Sequence, residues 1–400
     1  MKLKIMLLSV LCCFVVLVLW TGPRLEGCTT AIINGAASEQ GVPMLWKNRD
    51  TDFLSNKVIY VSDVPYSYVG LVNAEETSGR WVYTGLNSAG FGIMNSVAYN
   101  LPNAKSSEMK DLEGQIMADA LRTCASADDF ETYIRKNQGP ALGSWANFGI
   151  IDAQGNAVIF EVHNRGYKKY DAALAPGHYL INSNFARSGE EGKGAGYLRF
   201  DRATALFKLI PPGKISGLTI FQKIARDFGH TLLEQPSLED LKSISCKKQL
   251  WILSRDTINR SSTSAAAVIY GKKPGDNHSV ATFWILLGEP VTAIAVPVWV
   301  EAKETPKPLY EGDSAPICAE ALRIKKLIRP FSESDREQYM EITRLDNREK
   351  TGFLPLLLET EREIFRVTEQ FLQTGHTAEE YAEFQNQMAQ KALDTLKKIR

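Results

Sequence analysis

The sequence is poor in the residue types that announce whole classes of function. Six cysteines in 400 residues are too few for a disulfide scaffold of this size. They form no CxxC pair and have no adjacent histidine, so a zinc site is not expected. The five histidines contain no HExxH pair, and His163, His178, His230 and His278 read as surface or core residues. Neither charge sign is in excess, with 46 basic against 46 acidic residues, so the basic footprint of a nucleic-acid binder is missing. Gly189–Gly196 is rich in glycine but lacks the Walker spacing and a preceding strand, and reads as a mobile loop. There is no Gly-x-Ser-x-Gly elbow and no internal repeat. What remains is 44% hydrophobic and 23% charged, a globular composition sufficient for one large domain or two smaller ones. No cofactor and no metal is implied.

The first residues stand apart from the rest. Lys2 and Lys4 precede an apolar run from Ile5 to Trp20 broken only by Ser9. That layout is a secretory signal peptide, and the run is short of the roughly 20 residues that span a bilayer comfortably. The breaker-rich segment Thr21–Gly27 follows, and then Cys28. Residues 1–27 are expected to be a cleaved leader and the protein to be secreted or periplasmic; an uncleaved membrane anchor is the alternative. Leu25-Glu26-Gly27-Cys28 also approximates a lipobox, although Glu26 fits that motif poorly. Leu25 is unusual three residues before a signal-peptidase cut, which keeps self-cleavage open as a second route to the same end.

Residues 28–300 read mainly as short strands punctuated by Gly, Asn and Pro: Thr29–Ile33, Val58–Val61, Trp81–Tyr83, Phe91–Met94, Phe148–Ile151, Ala157–Val162, Tyr179–Ile181, Ser264–Tyr270, Ala281–Leu287 and Ala293–Trp299. Asp152–Asn156 is a hairpin turn with Gly155 where positive φ is needed. Leu112–Cys124, Asp128–Lys136, Tyr197–Leu209 and Thr219–Phe228 carry apolar residues at helical spacing, and Cys124 reads as a core residue of the first. Sequential hairpins with helices in separate blocks predict an α+β fold of layered antiparallel sheets. Residues 301–318 look like a linker, and 319–400 like a helical C-terminal extension that packs on the main domain or on a second subunit.

Cys28 carries the strongest chemical signal. Cleavage between Gly27 and Cys28 would place a thiol and a free α-amine on one residue. The α-amine has an ordinary pKa of about 8, so it can take the thiol proton directly or through water. Downstream, Lys47-Asn48-Arg49-Asp50 ends what would be a hairpin returning toward Cys28. A carboxylate there could hold the ammonium or thiol, and a cation beside it could favour the thiolate.

Cys28-Thr29-Thr30 followed by Lys47-Asn48-Arg49-Asp50 resembles the opening of the choloylglycine hydrolase and penicillin V acylase group, and equally the isopenicillin-N acyltransferase (carcinine hydrolase-like) group. Both are N-terminal-nucleophile hydrolases. Asp50 matches the motif, and Lys47 stands where arginine is usual, keeping the charge without the planar fork. Gly85–Asn95, Ala146–Gly155 with Glu161, Tyr179–Phe185, Tyr197–Ala203 and Leu286–Pro290 are similar to later segments in the same order, over roughly residues 28–300. The resemblance implies a four-layer αββα sandwich acting on a small-molecule N-acyl amide through a Cys28 thioester, by hydrolysis or by acyl transfer to another amine. It assigns Cys28 as nucleophile, Asp50 as partner of its amine or thiol, Asn184 as a donor to the oxyanion and Arg199 as electrostatic support. Asn95 is the match for the other site asparagine, with Asn182 the fallback for Asn184. Trp81, Trp145 and Tyr99 are candidates for an apolar acyl pocket. A lipid-anchored binding protein without turnover is the reading from a different class. Membrane contact would come only through the leader or such an anchor, and a homo-oligomer stays open.

Overall fold

The computed structural model describes residues 27–102, 109–276, 279–331 and 336–400. Of the expected leader only Gly27 falls among them, and His278 lies outside them.

The described residues begin with a hairpin, β1 (Thr29–Ile33) and β2 (Met44–Asp50). A meander follows: β3 (Asn56–Val61), β4 (Tyr68–Asn73), β5 (Thr84–Asn87) and β6 (Gly92–Val97). Two helices come next, α1 (Glu113–Thr123) and α2 (Ala127–Asn137), the second opened by a Ser126–Asp129 capping box. β7 (Trp145–Ile151), β8 (Ala157–His163) and β9 (Gly166–Asp171) complete one sheet, and β10 (Tyr179–Asn182) crosses to the other. The 152–156 turn forms as expected: Asp152 Oδ1 accepts from the Gln154 and Asn156 amides, and Gly155 has φ of 92°. α3 (Tyr197–Lys208) and α4 (Gly217–Thr219), the latter running on as a π-turn over Ile220–Ala225, precede β11 (Trp251–Leu253). Then come β12 (Thr263–Tyr270), β13 (Thr282–Leu287) and β14 (Val296–Val298). The C-terminal part holds α5 (Lys307–Tyr310), α6 (Pro316–Ile328), β15 (Tyr339–Glu341), α7 (Leu354–Phe371) and α8 (Ala378–Lys397).

Among the described residues the strands form a six-stranded sheet, β10-β1-β2-β12-β13-β14, a seven-stranded sheet, β3-β4-β5-β6-β7-β8-β9, and a small β11–β15 pair. Every pairing is antiparallel. The two large sheets lie face to face, β1 and β2 against β6 and β7. α1 and α2 cover the outer face of the seven-stranded sheet around Phe130, Phe148 and Phe160. α3, α6, α7 and α8 cover the outer face of the six-stranded one. This is the four-layer αββα sandwich, with antiparallel sheets at its centre.

The C-terminal helices share the apolar cluster of the six-stranded sheet, with Leu357, Ile364, Phe365, Leu393 and Leu396 among its members. Phe365 stacks on Trp284 of β13 at 3.6 Å. Within 301–318, Leu309 and Ile317 are fully buried. α7 is also held by an ion pair with no solvent exposure: Glu361 accepts from Arg226 Nη1 at 2.9 Å and Nη2 at 2.8 Å.

Three elements differ from the sequence reading. Trp81–Tyr83 is not a strand, because the Val82 amide donates to Gly114 at the start of α1 and pulls the chain off the ladder. Ala293–Trp299 pairs only at Val296–Val298, since Arg226 takes the Ala293 carbonyl and Glu361 the Ala295 amide. The helix expected to reach Phe228 stops at Arg226, whose guanidinium turns back to the Phe221 carbonyl.

Candidate active site

Strand alternation sorts the residues of β2. Lys47 and Arg49 point toward the seven-stranded sheet, where Lys47 Nζ donates to Asn95 Oδ1 at 2.6 Å and to the Tyr83 carbonyl at 2.7 Å. Arg49 reaches Asn56 and Asn73 and lies 3.6 Å over the Tyr83 ring. Asn48 faces the other way and donates to the Ala225 carbonyl at 2.9 Å. The register Thr29↔Asn48 then leaves Gly27 and Cys28 beside Asp50, with the Gly27 amide donating to the Asp50 carbonyl.

Asp50 is 1% exposed and its carboxylate is held on both oxygens. Thr263 Oγ1 donates to Oδ1 at 2.7 Å, and Arg260 Nε donates to Oδ2 at 2.9 Å. Arg260 Nη2 also donates to the Gly27 carbonyl at 3.1 Å, the carbonyl of the Gly27–Cys28 peptide. Arg199, 2% exposed, donates to the Cys28 carbonyl at 2.7 Å, to Thr29 Oγ1 at 2.9 Å and to Asn184 Oδ1 at 2.6 Å. It lies 3.7 Å from Asp50. Burial, and after it the cation of Arg260, pulls the Arg199 guanidinium down to about 10, so it remains charged at neutral pH. Gly196, the residue before α3, has φ of 80°, and a Cβ there would meet Ser183 Oγ at 2.9 Å and Arg199 Cζ at 3.0 Å. Glycine at this point lets α3 start close enough for Arg199 to enter the site.

Asn184 Nδ2 donates to the Val97 carbonyl at 3.0 Å, leaving its second N–H. Cys28, Lys47, Asp50, Asn95 and Asn184 line one narrow cleft of about 30 Å³, together with Arg49, Trp81, Tyr83, Val97, Asp111, Glu113 and Gly114. Arg199 stands behind Asp50 and Asn184. Asn182 is elsewhere, accepting from Arg187 at 2.6 Å. Of the aromatic candidates Trp81 lines the cleft, whereas Trp145 is buried against Ala98, Leu101 and Ala186, and Tyr99 is not in the wall.

Sequence reasoning missed Arg260, Thr263 and Glu113. Arg260 and Thr263 sit more than 200 positions from Asp50, Arg260 on a loop without periodicity and Thr263 where that loop enters β12. That loop is braced from α6: Asn259 donates to Glu289 at 2.8 Å, Arg329 pairs with Glu289 at 2.7 Å, and Lys325 bonds the Ser261 carbonyl. Glu113 reads from sequence as an ordinary acidic residue in the first turn of a helix. In the fold it is 4% exposed, with Oε1 accepting from Ser144 Oγ at 2.9 Å and from the Trp145 amide at 3.1 Å. Burial first, then the charge of Asp111, pushes its carboxyl up to about 8.

The described cysteines, Cys28, Cys124, Cys246 and Cys318, are all free thiols, with Cys28 partly exposed and Cys124 buried in the apolar cluster beneath α1. Among the described residues no group of three His, Cys, Asp or Glu could hold a metal ion, and no helix is long and apolar enough to cross a membrane.

No family model matches the sequence, and no curated protein does. Comparison of folds finds distant likenesses. An N-acylethanolamine-hydrolyzing acid amidase ortholog of Caenorhabditis elegans is 14% identical with a TM-score of 0.41, over 63% of this chain and 95% of that one. Penicillin V acylase of Agrobacterium tumefaciens is 14% identical with a TM-score of 0.40, over 68% and 86%. A variant of the conjugated bile acid hydrolase of Clostridium perfringens is 11% identical with a TM-score of 0.39, over 67% and 92%.

Proposed function

We propose that the protein is an exported amidohydrolase that cleaves the linear carbon–nitrogen bond of a small N-acyl amide, with Cys28 as its N-terminal nucleophile. The observation that carries this reading is the position of Cys28: it directly precedes β1, in a cleft shared with Asp50 and Asn184, its own carbonyl fixed by Arg199. A reactive cysteine needs an electropositive, partly open setting, and Arg199 and Arg260 supply two guanidiniums around Asp50.

The chemistry follows from that setting. After the Gly27–Cys28 bond is cut, the Cys28 α-amine accepts the thiol proton and Sγ attacks the substrate carbonyl. The free N–H of Asn184 stabilises the tetrahedral oxyanion, with Asn95 as a further amide in the wall; losing one such donor typically costs about 10²–10³ in rate. The carbon–nitrogen bond breaks, the α-ammonium protonates the leaving amine, and an acyl thioester to Cys28 remains. Water, deprotonated by the same amine, opens the thioester to a carboxylic acid and restores the thiol. Acyl transfer to a second amine would use the same thioester.

With Gly27 in place the cleft has about 30 Å³, room for one water, so access accompanies removal of the leader. The hold of Arg260 on the Gly27 carbonyl supports attack by Cys28 on that carbonyl as the cutting step. The exported chain should have an N-terminal mass starting at unmodified Cys28, lose amide-hydrolysing activity on thiol alkylation, and remain joined to Gly27 in Cys28→Ala. A lipidated Cys28, or turnover by a chain still joined to Gly27, would overturn the mechanism. A Cys28→Ala chain that is nevertheless cut would assign the cutting to another enzyme.

A further inference from the structure

The polar groups that line the cleft are unequally satisfied. Every cation in the wall is bonded to an acceptor of this chain: Lys47 to Asn95 and Tyr83, Arg49 to Asn56, Asn73 and the Tyr83 ring. Asp50 is likewise held on both oxygens. The exception is the acidic pair at the start of α1. Glu113 is 4% exposed and lines the cleft, yet its Oε2 is buried without a well-formed hydrogen bond. A buried carboxyl oxygen left in that condition costs stability, and retained groups of this kind mark a place where a partner is absent. Asp111, exposed at the rim, is the neighbouring charge. Trp81 lies alongside, its ring packed by Gly114 and only partly buried.

From these observations we infer that Asp111 and Glu113 form the recognition end of the cleft for a substrate carrying a cationic amine, bound with its ammonium between the two carboxyl groups and beside the Trp81 ring. This deepens the amidohydrolase reading of the same site and rests on it. The chemistry selects among amides in a definite order. An ammonium supplies up to three donors to a pair with unfilled acceptors, and an indole face attracts it further. A methyl group in the same place leaves Oε2 unpaired. A carboxylate meets Asp111 at like charge in a partly desolvated cleft, where repulsion is weakly screened. The high carboxyl of Glu113, raised by burial first and then by the charge of Asp111, fits this arrangement, since a cation placed against it favours release of its proton.

The test separates recognition from turnover. Three dialkyl ketones of one length, ending in an ammonium, a methyl and a carboxylate, replace the scissile nitrogen by carbon and cannot be hydrolysed. Their binding to the processed wild-type protein is measured by calorimetry. The ammonium ketone is expected to bind at least about tenfold more tightly than the methyl ketone, a tenfold change being about 1.4 kcal/mol, with the carboxylate ketone weakest. Asp111→Asn and Glu113→Gln should each bring the ammonium-to-methyl ratio down to within about threefold. Asp111 is exposed, so its variant remains informative where Glu113→Gln fails to fold. Equal affinities, tighter binding of the carboxylate, no binding of any of the three, or an ammonium preference that survives both variants would each overturn the inference. Hydrolysis of a neutral N-acyl alkylamide by the same preparation is scored separately, and its absence would remove the amidohydrolase reading instead.

Discussion

At the scale of single residues, the site is a set of buried charges whose partners are far away in sequence. Glu113 gives the clearest linkage. Its carboxyl is raised from 4.5 to about 8 in the folded chain, so between those values the folded state keeps a proton that the unfolded state has lost. Stability from this group is therefore complete below the unfolded value, declines as pH rises through the window, and levels off above the folded value. Glu113→Gln has no proton to lose. Its unfolding free energy relative to the parent should rise by on the order of 2–4 kcal/mol between about pH 5 and about pH 9, read from denaturant midpoints at both pH values. A constant difference would show that Glu113 does not titrate abnormally. The sequence showed Cys28, Lys47 and Asp50 through their spacing, because a hairpin brings its ends together. Arg260 and Thr263 carried no such signal, since an arginine in an irregular loop looks the same whether it is solvated or clamped on a buried aspartate.

At the scale of elements, packing overrides local pattern where side chains take over backbone groups. β1, β3, β8, β12 and β13 were legible as runs of β-branched and apolar residues. β2 was partly hidden, because Lys47 and Arg49 are charged residues on an inward face and so defeat the usual alternation. The start of the 293–299 run was lost to α7, whose Glu361 takes the Ala295 amide. That same carboxylate offers a test. Glu361→Ala leaves the fully buried Arg226 without a counter-charge and should destabilise the protein by about 3–5 kcal/mol. Replacing both partners by apolar residues of similar volume should recover most of that loss. Chemical unfolding of the single and double variants decides it, and a silent Glu361→Ala would mean that α7 is not docked through this pair.

At the scale of the whole molecule, the sandwich was legible as a class from hairpin order and helix blocks, whereas the way its layers depend on one another was not. The apolar cluster of the six-stranded sheet is completed by residues from α7 and α8, and α6 braces the loop that presents Arg260 to Asp50. A chain ended before Leu354 would expose Trp284 and strip Arg226 of its partner. It should be recovered as aggregate or as a species without the near-ultraviolet dichroism of the Trp284–Phe365 stack, measured by gel filtration and circular dichroism. A monomeric, fully folded product would show that the sheets stand without their C-terminal cover.

Gly27 has a consequence for anyone making this protein. It is buried among the site's own side chains, and a Cβ on it would collide with Arg260 and meet Arg199 Nη2 and Asn184 Oδ1 at 2.9 Å. A purification tag or start methionine joined directly to Cys28 would have to thread the same gap with a bulkier residue. Such a preparation would be folded with its cleft occupied, and its silence toward every amide in a screening library would describe the added residue rather than the protein.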